Sequence, residues 1–181
     1  MLAETYRRQL HDRALDQYGY ITTRDAAELG IPPVEVRKIA ARGGLTHVSR
    51  GVFRFDDIPH TGREVFMEAV LRVGAGACLT ADAVLSLHDL ALANPRKIRV
   101  ATPRQVRVAL PPTIEAHTRR INPEDLTVYE GIPATTIARA LRDARGLLMT
   151  ERLLDAAREA MRRGLLLRPE GEQVIRDLGQ A

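Results

Sequence analysis

Five side chains between Val36 and Phe55 offer one chemistry: Arg37, Lys38, Arg42, Arg50 and Arg54 are cations, and no acid interrupts them. A guanidinium fork matches the paired oxygens of a phosphate and the O6/N7 edge of guanine. Acids flank the run on both sides, with Asp25, Glu28 and Glu35 before it or at its edge and Asp56 and Asp57 after it. A local basic island in a nearly balanced segment is an electrostatic footprint for nucleic acid. A second cluster follows: Arg96, Lys97, Arg99, Arg104, Arg107, Arg119 and Arg120 stand against the single acid Glu115. Alternation along a strand puts Lys97 and Arg99 on one face and Ile98 and Val100 on the other. That cluster reads as the solvent face of a half-exposed sheet, or as a surface for nucleic acid or an acidic partner.

Other chemistries find no constellation. The five histidines, at 11, 47, 60, 88 and 117, lack metal-ligand spacing. Gly74-Ala75-Gly76 lacks the third glycine of a dinucleotide loop, because position 79 is Leu. Cys78 and His88-Asp89 could be drawn as nucleophile and base, but a buried thiol and a surface histidine are the plainer reading. The pairs Asp56-Asp57 and Glu124-Asp125 point their carboxylates apart. The expectation is therefore no enzyme, with no catalytic residues, no cofactor and no metal.

Composition agrees with a globular regulator. The chain has 181 residues, 45% hydrophobic and 28% charged, which is room for one ordinary domain or two small ones. Arginine supplies all but Lys38 and Lys97 of the 27 cations, and the formal charge is +4. Arginine-rich codons would give the same bias, so placement of the cations carries the argument rather than their number. No apolar run approaches the ~20 residues of a membrane span, and Glu4, Arg7, Arg8, Asp12 and Arg13 break any leader-like start. A cytoplasmic protein without membrane contact is expected.

The elements that must position the first island can be read from punctuation. Glu4 to Tyr18 reads as a helix with Leu10, Ala14 and Leu15 on one side. Thr22 and Asp25 form a capping box for a second helix that buries Ala26, Ala27 and Leu29 and stops at Gly30. Ile31-Pro32-Pro33 turns into a third helix, Pro33 to Arg42. At 100° per residue Val36, Ile39 and Ala40 face inward, while Val34, Lys38, Ala41 and Arg42 face out. Runs 46–49 and 52–55, joined at Arg50-Gly51, read as a hairpin with a basic tip. Helix, turn, helix and ribbon describe a winged helix-turn-helix over residues 1–60, with a linker at Asp57 to Gly62. Beyond it, residues 61–181 read as a small mixed α/β domain. Helices are expected at Arg63 to Val73, from Thr80 as cap to Ala91, from Thr135 or Thr136 to Arg145, from Thr150 to Arg163 and from Pro169. Strands are expected at 98–101, 106–110, 114–118 and 126–129. The fold class is α+β.

The stretch LDQYGYITTRDAAELGIPPVEVRKIAARGGLTHVSRGVFRF resembles the N-terminal winged helix of AbiEi-family antitoxins of bacterial toxin–antitoxin systems. VLSLHDLALANPRKIRVATP and LTVYEGIPATTIARALRDAR resemble the α/β domain that follows it there, and Gly131 to Asp143 is the distinctive segment. The resemblance implies a DNA-binding antitoxin that represses its own operon through repeats upstream. It also implies that the antitoxin opposes, directly or indirectly, a nucleotidyltransferase-like toxin, with antitoxicity in the C-terminal domain. The positions matching DNA contacts are Arg37, Lys38 and Arg42 on the helix and Ser49, Arg50 and Arg54 on the wing. The alternative is a stand-alone winged-helix regulator whose C-terminal domain senses a ligand.

Overall fold

The computed structural model describes residues 2–180 and divides into two compact units, Met1–Arg72 and Val73–Ala181. Met1 and Ala181, the outer ends of the two expected domains, lie outside the described residues.

The N-terminal unit opens with α1 (Leu2–Leu15), β1 (Tyr20–Thr22), α2 (Thr23–Glu28) and α3 (Pro33–Ala41). It continues with β2 (Leu45–Ser49), β3 (Val52–Phe55) and α4 (Glu64–Val73). The capping box forms as its residue types require: Asp25 N donates to Thr22 Oγ1 at 3.1 Å and Thr22 N donates to Asp25 Oδ2 at 2.7 Å. The other end of α2 closes in a Schellman arrangement, with Gly30 at φ +70° and Ile31 N donating to Ala26 O at 2.7 Å. Ile31, buried by this turn, joins Leu10, Val36, Ile39, Leu45, Phe53 and Phe55 in one apolar core. Leu15, Ala27 and Leu29 were expected inside and instead face solvent, Leu15 at 57% exposure. Helices this short bury one narrow stripe, which here is filled by Leu10, Ala14 and Ala26.

The sheet of this unit runs β1-β3-β2, antiparallel throughout, so β3 is central. The short β1 escapes sequence reading because three residues carry no periodicity. Helix α4 belongs with this unit rather than with the following one, twelve residues beyond the boundary expected at 60/61. Two bonds tie it there: Tyr20 Oη donates to Glu68 Oε2 at 2.5 Å, and an Arg72 guanidinium nitrogen donates to Val48 O at 3.1 Å.

The second unit comprises β4 (Cys78–Leu79), α5 (Asp82–Leu87), β5 (Ile98–Thr102), β6 (Ile114–Thr118), β7 (Leu126–Tyr129) and β8 (Ile132–Thr135). Helices α6 (Ile137–Asp143), α7 (Thr150–Arg162) and α8 (Arg168–Gly179) complete it. Its mixed sheet has the order β6-β5-β4-β8-β7, with β5/β6 and β4/β8 parallel. The strand expected at 106–110 is absent. Both edges of β5 are already occupied by β4 and β6, and the intervening chain crosses over as an irregular loop from Pro103 to Pro112. Thr80 does not cap α5 as expected: Ala81 occupies the N-cap, and Thr80 N bonds to Arg99 O in the sheet. Thr136 does cap α6, its hydroxyl accepting from Arg139 N at 3.3 Å. Helix α7 buries Leu153, Ala156, Ala157 and Ala160, and packs so closely on α8 that a Cβ at Gly171 would collide with Met161.

Candidate nucleic-acid interface

Helix α3 begins with Pro33 at its first position and ends on Arg42, with Gly43 at φ +93°. Val36 and Ile39 are buried and Ala40 is packed against the core. The opposite face carries Val34, Arg37, Lys38, Ala41 and Arg42, all exposed. Small residues and cations on one exposed face are what a helix needs to enter a major groove. Lys38 Nζ lies 2.8 Å from Glu35 Oε1, with the lysine side chain 54% exposed. An exposed pair of this kind is worth little, so a phosphate can displace it.

The wing follows directly. Strands β2 and β3 are joined by Arg50 and Gly51, and Gly51 takes φ +74°, which frees the turn to close tightly. Gly51 O accepts from Thr23 N at 2.9 Å, and a Cβ at Gly51 would meet Thr23 Oγ1 at 2.9 Å. The tip is thereby pinned to the start of α2. Arg50 is exposed at this tip, and Ser49 is half-buried beside it.

Arg54 requires a correction. It is 8% exposed, its guanidinium donating to Phe55 O at 3.1 Å and Ile58 O at 2.7 Å and standing 5.9 Å from the Tyr20 ring centroid. Every residue of β3 is buried, because the central strand is covered on both faces. Arg54 is an internal strut of the unit rather than a surface cation. The structure thus brings Arg37, Lys38 and Arg42 together on one helix face, sets Arg50 and Ser49 on the wing, and withdraws Arg54. His47, exposed on β2 with its ring edge against Phe53, was not singled out from sequence; a polar residue two positions before Ser49 was its signal.

The cluster at 96–120 divides in the same way. Arg99 does not face open solvent: it lies 2.5 Å from Asp82 Oδ2 and 3.4 Å from Glu115 Oε2. Arg119 pairs with Asp143, which also receives Arg139 Nε at 3.0 Å, while Arg139 reaches Asp125 at 2.8 Å. The distinctive segment 131–143 therefore supplies a strand, a helix cap and the hub of an ion-pair network. Arg96, Lys97, Arg104, Arg107 and Arg120 remain exposed. Among the described residues, no group of three or more His, Cys, Asp or Glu could hold a metal ion, and no helix is long and apolar enough to cross a membrane.

Three helices, a β1-β3-β2 sheet and a hairpin following an exposed cationic helix define a winged helix-turn-helix, a class that binds DNA through its third helix and wing. Residues 8–55 match the family described as transcriptional regulator, AbiEi antitoxin. The N-terminal segment is the regulator domain of that antitoxin family. Among solved structures, the RV2827C protein from Mycobacterium tuberculosis is similar at 15% identity, covering 94% of this chain and 80% of that one, with a TM-score of 0.39. No curated protein matches the chain.

Proposed function

We propose that this protein is the DNA-binding antitoxin of a toxin–antitoxin pair. In this reading it represses its own operon by seating α3 in the major groove of repeats upstream of the operon. Arg50 at the wing tip rests on flanking phosphates. The second unit counteracts, directly or indirectly, a nucleotidyltransferase-like toxin. Both activities take place in the bacterial cytoplasm, where the operator lies. The observation that carries the DNA reading is the exposed face of Arg37, Lys38 and Arg42 beside the Arg50 tip, on a segment that matches an antitoxin regulator family.

The test is a titration of DNA from upstream of its own gene. Replacing both Lys38 and Arg42 with Ala leaves the core residues untouched, so the fold persists while operator binding falls. A base-reading side chain costs about 1–3 kcal/mol and relaxes one operator position, whereas a phosphate contact weakens all sequences alike. With Arg54 withdrawn, about four cations meet phosphates, and log K falls against log salt with a slope of about −3 to −4. A flat salt dependence together with full affinity in the double variant overturns the interface.

A further inference from the structure

The second unit contains a two-lobed cleft that the DNA reading does not use. One lobe, of about 280 Å³, lies over Ala81, Arg119 and Arg145. The other, of about 390 Å³, lies under Arg96 and Lys97. The lobes share Arg99, Glu115 and Leu147, so they are contiguous. Each is concave and within the size range of small-ligand sites, and neither is a flat surface for a folded partner.

The charges in the cleft are of two kinds. Arg99 and Arg119 are held by carboxylates, Arg99 between Asp82 and Glu115 and Arg119 on Asp143. Such pairing fixes the guanidinium planes without using all five donors of either arginine. By contrast, Arg96, Lys97 and Arg145 are exposed and make no ion pair among the described residues. Three unmatched cations around one concavity require an anion of more than single charge, and phosphate suits both the guanidinium fork and the ammonium.

A second, independent observation concerns the floor. The Asp82 side chain is 8% exposed, and its Oδ1 is buried without a hydrogen-bond partner while Oδ2 holds Arg99. A carboxylate oxygen withdrawn from water and left without a donor is costly, and a ligand bearing hydroxyl or amino hydrogens would relieve it. Next to it, Ala81 takes φ +52° and ψ −132°, a conformation alanine avoids, and strain of this kind concentrates at ligand sites. Leu147, 42% exposed, gives the cleft an apolar wall. Phosphate at one end, hydrogen-bond donors at the other and an apolar plane between them describe a nucleotide.

We infer that the cleft of the second unit binds a nucleoside phosphate, with Arg96, Lys97 and Arg145 taking the phosphate and Arg99 and Asp82 facing the nucleoside. This site is separate from the DNA-binding face, so the two readings stand or fall independently.

The experiment is calorimetric titration of the full-length protein with adenosine and guanosine 5′-monophosphates, adenosine and inorganic phosphate. A nucleotide should bind at least about tenfold more tightly than either adenosine or inorganic phosphate, since it alone engages both ends of the cleft. The variant carrying Lys97→Ala and Arg145→Ala, both at exposed positions, should lose about tenfold or more in nucleotide affinity while binding operator DNA as before. The Lys38→Ala/Arg42→Ala variant should show the reverse pattern. A short oligonucleotide that binds far better than the mononucleotides identifies a nucleic-acid end as the source of the same chemistry. Equal affinity for inorganic phosphate and nucleotide overturns the nucleoside assignment. Failure of every mononucleotide to bind at millimolar concentration, or binding indifferent to the Lys97/Arg145 change, overturns the site.

Discussion

Arg50 and Arg54 lie on one hairpin, yet the first is exposed at the turn and the second is buried among backbone carbonyls. Their substitutions should therefore separate. Arg54→Ala leaves two carbonyls without a charged donor and should lower unfolding stability by about 2–3 kcal/mol, with no loss of operator affinity per folded molecule. Arg50→Ala should do the opposite, weakening operator binding and leaving the denaturation midpoint in place. Urea unfolding and a DNA titration on both variants decide the matter, and a stable, non-binding Arg54→Ala protein would contradict the assignment. Glu64 gives the fold a pH signature. Burial raises its carboxyl pKa, but backbone N–H donors at Glu64 and Thr61, with His60 and the Thr61 hydroxyl, outweigh burial and hold it at about 2 against an ordinary 4.5. A depressed carboxylate stabilises fully above the ordinary value, and that stabilisation is lost as pH falls from about 4.5 towards 2. Glu64→Gln should thus be less stable than wild type at pH 7, on the order of 1 kcal/mol, and should converge with it near pH 2. A gap that persists at pH 2 would mean the carboxylate charge is not responsible.

At the scale of elements, what could be read from sequence depended on whether local chemistry or tertiary surroundings decided the outcome. The Thr22–Asp25 box, the stop at Gly30 and the outward face of α3 follow from residue types and the 3.6-residue period, and all appear as expected. The hairpin at Arg50-Gly51 and the strands Ile114–Thr118 and Leu126–Tyr129 were legible for the same reason. The misses have tertiary causes. Arg54 was assigned outward on the assumption that strand faces alternate, and a central strand covered on both sides does not alternate. Strands β1, β4 and β8 are two to four residues long, too short for a pattern to emerge. The run Val106 to Leu110 has β propensity but no free strand edge to pair with. Nothing in the sequence announces the turn at Ala81, where the N–H of Thr80 is taken by the sheet and the next residue must swing to positive φ to start α5. Ala81→Gly should relieve that strain. Strain of about 1–3 kcal/mol, offset by about 1 kcal/mol of added freedom in the unfolded chain, leaves a gain of about 1 kcal/mol. A lower melting temperature for Ala81→Gly would show that the buried methyl matters more than the backbone conformation.

For the whole molecule, the position of the cut determines whether a division of labour can be observed. The linker at Asp57 to Gly62 suggests a division at 60/61, but α4 is held to the first unit through Tyr20 and Val48. A fragment starting at 61 would strip that helix from the winged helix and carry its unmatched face along. The compact units divide instead at Arg72/Val73. The first then holds the helix-turn-helix, the wing and α4, and the second holds the mixed sheet, the ion-pair network around Asp143 and the helices α6 to α8. Residues 1–72 form a small core, since a domain of ~60 residues buries only about 60% of its unfolded surface, so that fragment should bind operator DNA more weakly than the full chain. Residues 73–181 should fail to repress but still restore growth to cells expressing the cognate toxin. In the full chain, Arg50→Ala should lose repression and keep rescue. A promoter reporter run beside a growth assay with the toxin induced measures both. A soluble, folded 73–181 fragment that gives no rescue, or an Arg50→Ala protein that loses both activities together, would mean that neutralising the toxin requires the DNA-binding unit, and the proposed separation would fail.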